Sequence, residues 1–288
     1  MDKLVSPSQW SERPNVIEEH VAFVTKESEK VHSSILDHAT KYYGNRPSNK
    51  LEIFGLSQKN KGTPIFVYIS GGYWQELSGD ISLYPVQPQF DEGISSIIVD
   101  YSRAPIVTMQ DIVEEIIEAS KLILDIALEH KTKSIILAGH SAGGQLCSMV
   151  LTSDWFASLP KPHRSMFKAV FHLSGVFRLK PLLKTYVNDK LQMDEELAER
   201  LSPLSLGNLR KLGETALPHT FIIAGEKDSP LFIEQAKEFT SEMIKMSNIQ
   251  GVTFQIIPQM DHFNLVENLC SKNYTITKNI LYLINNYL

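Results

Sequence analysis

The pentapeptide Gly139-His140-Ser141-Ala142-Gly143 fits the G-x-S-x-G pattern, in which a serine is carried on a sharp turn between a strand and a helix. A serine so placed can attack a carbonyl carbon, provided that a base removes its proton and a third group orients the base. On a strand-to-helix turn of this kind the partners follow in the order acid, then histidine. Gly225-Glu226-Lys227-Asp228-Ser229-Pro230 and Asp261-His262-Phe263 supply them in that order. His262 is singled out among nine histidines by its place after an apolar run. His140 lies inside the pentapeptide and His172 within a strand pattern. His20, His32, His38, His130, His163 and His219 fall on helical patterns or connections. Asp228 and Glu226 compete for the acid, and Asp261 is a weaker rival because an acid adjacent to the histidine usually points elsewhere.

The negative charge that develops on the attacked carbonyl oxygen needs preorganised donors. The backbone N–H of Ala142 is one. Ser70-Gly71-Gly72-Tyr73-Trp74 follows another apolar run, and its glycines Gly71 and Gly72 let backbone N–H groups approach a substrate closely. Tyr73 and Trp74, the aromatics that follow, are expected to contact the substrate. No metal and no cofactor is needed by this set of residues.

These residues must be held by elements, and the pattern around them supplies a frame. Apolar runs at 65–69, 96–99, 134–138, 169–173, 221–224 and 254–257 read as strands buried on both faces. Helical periodicity over 109–129, 142–151, 233–246 and 274–287 alternates with them, which predicts a mainly parallel sheet with helices on both faces. The three chemical segments all follow strand ends, so they can converge on one edge of that sheet. Together they predict the α/β-hydrolase fold in a single domain, residues 1–288. Residues 16–43 have helical spacing and are expected to form an N-terminal helical arm, within a segment of about 1–45. A polar turn is expected around 60–63. The charged, leucine-rich stretch 177–213 has no strand signal and is expected to be a helical cap.

Composition sets outer bounds. The chain has 288 residues, a net charge of -5, 43% hydrophobic and 21% charged residues, and two cysteines. That balance offers no electrostatic attraction to nucleic acid or to an anionic membrane. The two cysteines lack metal-ligand spacing and suit a reducing compartment. There is no signal-peptide pattern and no apolar run of about 20 residues. A cytoplasmic location and a small-molecule substrate are expected, and a homodimer is left open.

The same segments resemble the kynurenine formamidases (arylformamidases). Ser6-Pro7-Ser8-Gln9-Trp10 is similar to that family's S-P-S-x-W segment, and Ser70-Gly71-Gly72-Tyr73-Trp74 to its H-G-G-Y-W loop, with Ser70 in place of the histidine. Ser174-Gly175-Val176-Phe177, Thr185-Tyr186-Val187-Asn188 and Arg200-Leu201-Ser202-Pro203 look like its cap region, and the segments of Asp228 and His262 like its acid and histidine segments. The resemblance covers roughly residues 6–270. It implies hydrolysis of N-formyl-L-kynurenine to formate and L-kynurenine in tryptophan breakdown, without a cofactor. It also implies that Asp228 rather than Glu226 is the acid. Other readings of the residues alone are a small-acyl carboxylesterase of the same fold and a non-catalytic hydrolase-like binding protein.

Overall fold

The computed structural model describes residues 1–57 and 62–286. Part of the turn expected around 60–63, and the last residue of the helix expected over 274–287, lie outside the described residues. Among the described residues eight strands form one sheet: β1 (His38–Tyr42), β2 (Lys50–Phe54), β3 (Ile65–Ile69), β4 (Ser95–Val99), β5 (Ile135–His140), β6 (Phe167–Leu173), β7 (His219–Gly225) and β8 (Val252–Ile257). Their order is β1-β2-β4-β3-β5-β6-β7-β8. The β1/β2 and β2/β4 pairs are antiparallel, and every other pair is parallel. A parallel pair needs a long crossover. Helices occupy those crossovers: α2 (Met109–Glu129), α3 (Ala142–Leu151), α4 (Leu206–Glu214) and α5 (Pro230–Ile244), with α1 (Val16–Ser34) before the sheet and α6 (Thr275–Asn286) after it.

Successive side chains of a strand point to opposite faces, so a buried parallel sheet builds two cores. Ile65, Val67 and Ile69 of β3 pack on one side with residues of α2, α3 and α5. Phe66 and Tyr68 pack on the other with Val24 and Val31 of α1 and Ile276 and Ile280 of α6. Helix α2 starts with a capping box, in which Thr108 and Asp111 satisfy each other's backbone N–H groups. The expected strands and long helices are all present. The stretch 177–213 forms short helical turns and α4 with no strand, a helical cap on an α/β-hydrolase sheet.

Two departures lie near the N-terminus. The helix expected to reach residue 43 ends at Ser34, and β1 and β2 follow as an antiparallel hairpin. Ala39 happens to continue the helical spacing of α1, but all five residues of β1 are exposed, so this strand is fixed by pairing with β2 rather than by burial. Thr40 Oγ1 donates to Glu52 Oε2 across the pair at 2.9 Å. Glu52 also explains why β2 gave no apolar run. It is a buried carboxylate in mid-strand, neutralised by Lys50 at 3.1 Å. Among the described residues, no helix is long and apolar enough to cross a membrane.

Candidate active site

Ser141 stands between β5 and α3 with φ 52° and ψ -114°, a left-handed conformation that a side-chain-bearing residue adopts only when its surroundings enforce it. The enforcement is visible. Ser141 N donates to Leu173 O of β6 at 2.9 Å, and Ser141 O accepts from Gly144 N at 3.0 Å and Val176 N at 3.3 Å. A Cβ on Gly143 would lie 2.1 Å from Ile69 O, so α3 can start against the end of β3 only with glycine there. His172 Nδ1 donates to Gly144 O at 2.9 Å. Burial lowers the pKa of His172 to about 4, which keeps it a neutral brace.

Asp228 and His262, the expected acid and base, meet at the neighbouring strand ends. His262 Nδ1 lies 2.9 Å from Asp228 Oδ2, and both side chains are buried. Asp228 Oδ1 accepts from Ser229 N at 2.6 Å, which fixes the carboxylate plane. A carboxylate on Nδ1 holds the histidine in the tautomer that leaves Nε2 free to accept a proton. Neither rival acid is in this position. Glu226 is exposed and accepts from Gln259 N at 2.8 Å. Asp261 turns away, accepting from Phe263 N at 2.9 Å, Asn264 N at 2.8 Å and Ser11 Oγ at 2.5 Å. Burial pushes the Asp261 pKa up, but the bonds from Ser11, Asn264 and Phe263 and the charge of Arg13 hold it below the usual carboxylate range.

Ser141 and His262 both line a cavity of about 790 Å³. The variable residue of the pentapeptide joins them: His140 Nε2 donates to His262 O at 3.0 Å, and the two rings are 4.6 Å apart. Burial first, then the neighbouring His262 and His20, hold the His140 pKa well below its ordinary value. Spacing alone gave His140 no task, yet as the residue preceding Ser141 it ties that turn to the backbone of His262.

The glycine loop reaches the same place. A Cβ on Gly71 would lie 3.0 Å from Ser141 Cβ, so its backbone passes directly beside Ser141. Gly72 and Tyr73 line the cavity, and Ala142 opens α3, where its N–H has no intrahelical partner. Ser70 is buried, and the carbonyls of Ser70 and Gly71 accept from Tyr101 Oη at 3.2 and 3.4 Å. The loop lacking histidine at position 70 is thus braced by a tyrosine from beyond β4. The expected contact of Trp74 with the substrate is corrected by its placement. Trp74 is fully buried, belongs to the core beneath the loop, and donates from Nε1 to Gln145 Oε1 at 3.1 Å. An indole held there packs α3 against the loop and does not line the cavity.

The cavity walls come from distant segments. Pro7, Ser8, Ile17, His20 and Val21 of the N-terminal arm form one side. Tyr186, Val187, Asp189 and Lys190 of the cap form the other. His20 is a wall residue that strand-exit reasoning passed over. It is buried, with Nδ1 2.9 Å from Glu267 Oε1, and Arg13 grips Glu267 with two nitrogens at 3.0 and 3.1 Å. The signal was its helical register: His20 shares the buried stripe of Val16, Val24 and Ser28, where an uncompensated imidazole would be costly.

A profile of the BD-FAE family matches residues 51–243. The chain is similar to the kynurenine formamidase of Danio rerio, 32% identical over 97% of this chain and 94% of that protein. It is similar also to that of Salmo salar, 30% identical over 98% of this chain and 94% of that protein. Among solved structures, a putative thioesterase from Silicibacter sp. TM1040 superposes with a TM-score of 0.80 at 23% identity, covering 97% of this chain and 98% of its own. Esterase B of Lactobacillus rhamnosis gives 0.65 at 16% identity, over 94% and 95%. These two share the fold.

Proposed function

The chain belongs to the kynurenine formamidases and to the BD-FAE family, and from that premise we propose that this hydrolase cleaves the formamide of N-formyl-L-kynurenine through Ser141, His262 and Asp228. The observation that carries the reading is the Asp228–His262 hydrogen bond at 2.9 Å at the edge of the cavity that also holds Ser141. In this mechanism His262 Nε2 takes the proton of Ser141 Oγ as the oxygen attacks the formyl carbon. The oxyanion is held by the N–H of Ala142 and by N–H groups of the loop of Gly71 and Gly72. Collapse breaks the C–N bond, and His262 gives its proton to the departing arylamine nitrogen. A water, deprotonated by the same histidine, then attacks the formyl ester, so that formate leaves and Ser141 regains its proton.

The formyl carbon carries only hydrogen, so the space beside Ser141 can be small while the rest of the substrate occupies the cavity. A volume of about 790 Å³ lies within the range of roughly 300–1,000 Å³ typical of small-molecule sites. Tyr73 remains beside the reacting end. The test is a hydrolysis panel. N-formyl-L-kynurenine should give a higher kcat/KM than p-nitrophenyl esters of any chain length, despite their better leaving group. A preference for butyryl or longer esters with little deformylation would place the protein among carboxylesterases instead.

A further inference from the structure

The mechanism above uses none of residues 4–13, yet that segment touches the loops of Asp228, His262 and Tyr73 and the cap. Leu4 O accepts a hydrogen bond from the hydroxyl of Ser229, the residue after Asp228. Val5 O accepts from Tyr73 Oη, in the glycine loop, at 2.5 Å. Ser11 Oγ donates to Asp261, the residue before His262, at 2.5 Å. Arg13 lies 3.6 Å from the same carboxylate while gripping Glu267. Glu12 pairs with Lys227, the residue before Asp228, at 2.9 Å. Ser6 Oγ and Tyr186 Oη, 2.9 Å apart, join the segment to the cap.

These bonds are placed to fix geometry. Ser229 and Asp261 are buried, and a buried group stripped of its partner keeps its full desolvation cost. One Asp261 oxygen already takes the N–H groups of Phe263 and Asn264 and so shapes the turn bearing His262. Ser11 holds the other oxygen, and with it the orientation of that turn. The partners are 225 residues apart for Leu4 and Ser229 and 250 for Ser11 and Asp261, so no local stretch of chain could substitute for the contact.

We propose that residues 4–13 form a positioning strap that holds the loops of Asp228, His262 and Tyr73 in mutual register, raising turnover without touching the reacting atoms. The inference rests on Ser141, Asp228 and His262 acting as one set. A displacement of about 1 Å at reacting groups can cost roughly 10² in rate, so loosening one bond of the strap should cost about tenfold.

The test reads Ser11 variants by p-nitrophenyl acetate hydrolysis and by the rate at which a small fluorophosphonate labels Ser141. Neither depends on which substrate is natural. Ser11→Ala should lower kcat and the labelling rate by about tenfold each, with KM within about twofold, and Ser11→Thr, which keeps the hydroxyl, should restore most of both. Should Ser11→Ala not fold, Ser229→Ala interrogates the strap from its other end with the same expected split. Unchanged kcat and labelling, a rise in KM alone, or a threonine variant no better than alanine would overturn the strap. Failure of the unaltered protein to be labelled at Ser141 would instead overturn the catalytic set.

Discussion

The floor of the cavity and its walls are built on different principles. The floor consists of strand ends: β5 delivers Ser141, β7 leads to Asp228 and β8 to His262. Its geometry is set by backbone pairing, by glycine at 143, and by buried imidazoles that bridge neighbouring turns. The walls are short helical turns and an N-terminal segment, joined to the floor by side-chain hydrogen bonds between residues 68 to 250 positions apart. A floor of this kind tolerates little change and can serve many substrates. Walls of this kind can be rebuilt without disturbing it.

That division predicts separable losses. The largest belongs to the floor. Ser141→Ala, His262→Ala and Asp228→Asn should each lower kcat by about 10³–10⁵, without additivity in the double variants, because such residues act as a unit. Glu226→Gln should stay within about twofold, since its carboxylate only holds the turn at Gln259. Comparable losses from Glu226→Gln and Asp228→Asn would contradict the assignment of the acid.

Next in size is an effect of acid on folding. His140 and His172 are buried and neutral, with pKa values pushed below the usual histidine value, in the case of His172 to about 4. The unfolded chain takes up protons at these positions as pH falls through about 6.5, while the folded chain does not, so stability is intact above that value and declines below it. Each group should remove about 1.4 kcal/mol per pH unit between the unfolded and folded values. Denaturant melts at pH 7 and pH 5 should show this fall, and replacing His172 with leucine should flatten it. Equal acid sensitivity in that variant would show that other groups control the transition.

The smallest loss belongs to a wall. Ile17 is half-exposed and lines the cavity on α1. Ile17→Ala should raise KM for N-formyl-L-kynurenine about threefold with kcat unchanged, as removal of a few apolar carbons from a binding surface predicts. A fall in kcat would mean that this wall acts on the chemistry, and the contrast between the regions would collapse there.

The same contrast decides what could be read from the amino-acid sequence. That Ser141, Asp228 and His262 lie together at the strand ends was legible because each is announced by a local pattern, an apolar run followed by a turn with a particular side chain. The strands β3 to β8 were legible for the same reason. The hairpin of β1 and β2 was not, because Glu52 interrupts its apolar pattern and is compensated by Thr40 and Lys50 through the fold. Trp74 was misread because a glycine-rich loop suggests exposure, and only the approach of Gln145 on α3 shows that the indole turns inward. His20 and the contacts of residues 4–13 depend on neighbours some two hundred residues away, which no window of sequence contains.

The strap also bears on the order in which the protein acquires its abilities. Contacts between residues 4–13 and the loops after β7 and β8 close loops nearly as long as the chain. Closing such loops is entropically expensive and is recompensed only once the intervening sheet exists. Secondary structure and the two cores can therefore form before the segment docks. On a ribosome the segment emerges before these loops and must wait for the last strand before all its contacts can form. If the proposed set is right, catalytic competence is a late event in the life of each molecule, and a partly made chain carries Ser141 without the loops of Asp228 and His262 in register.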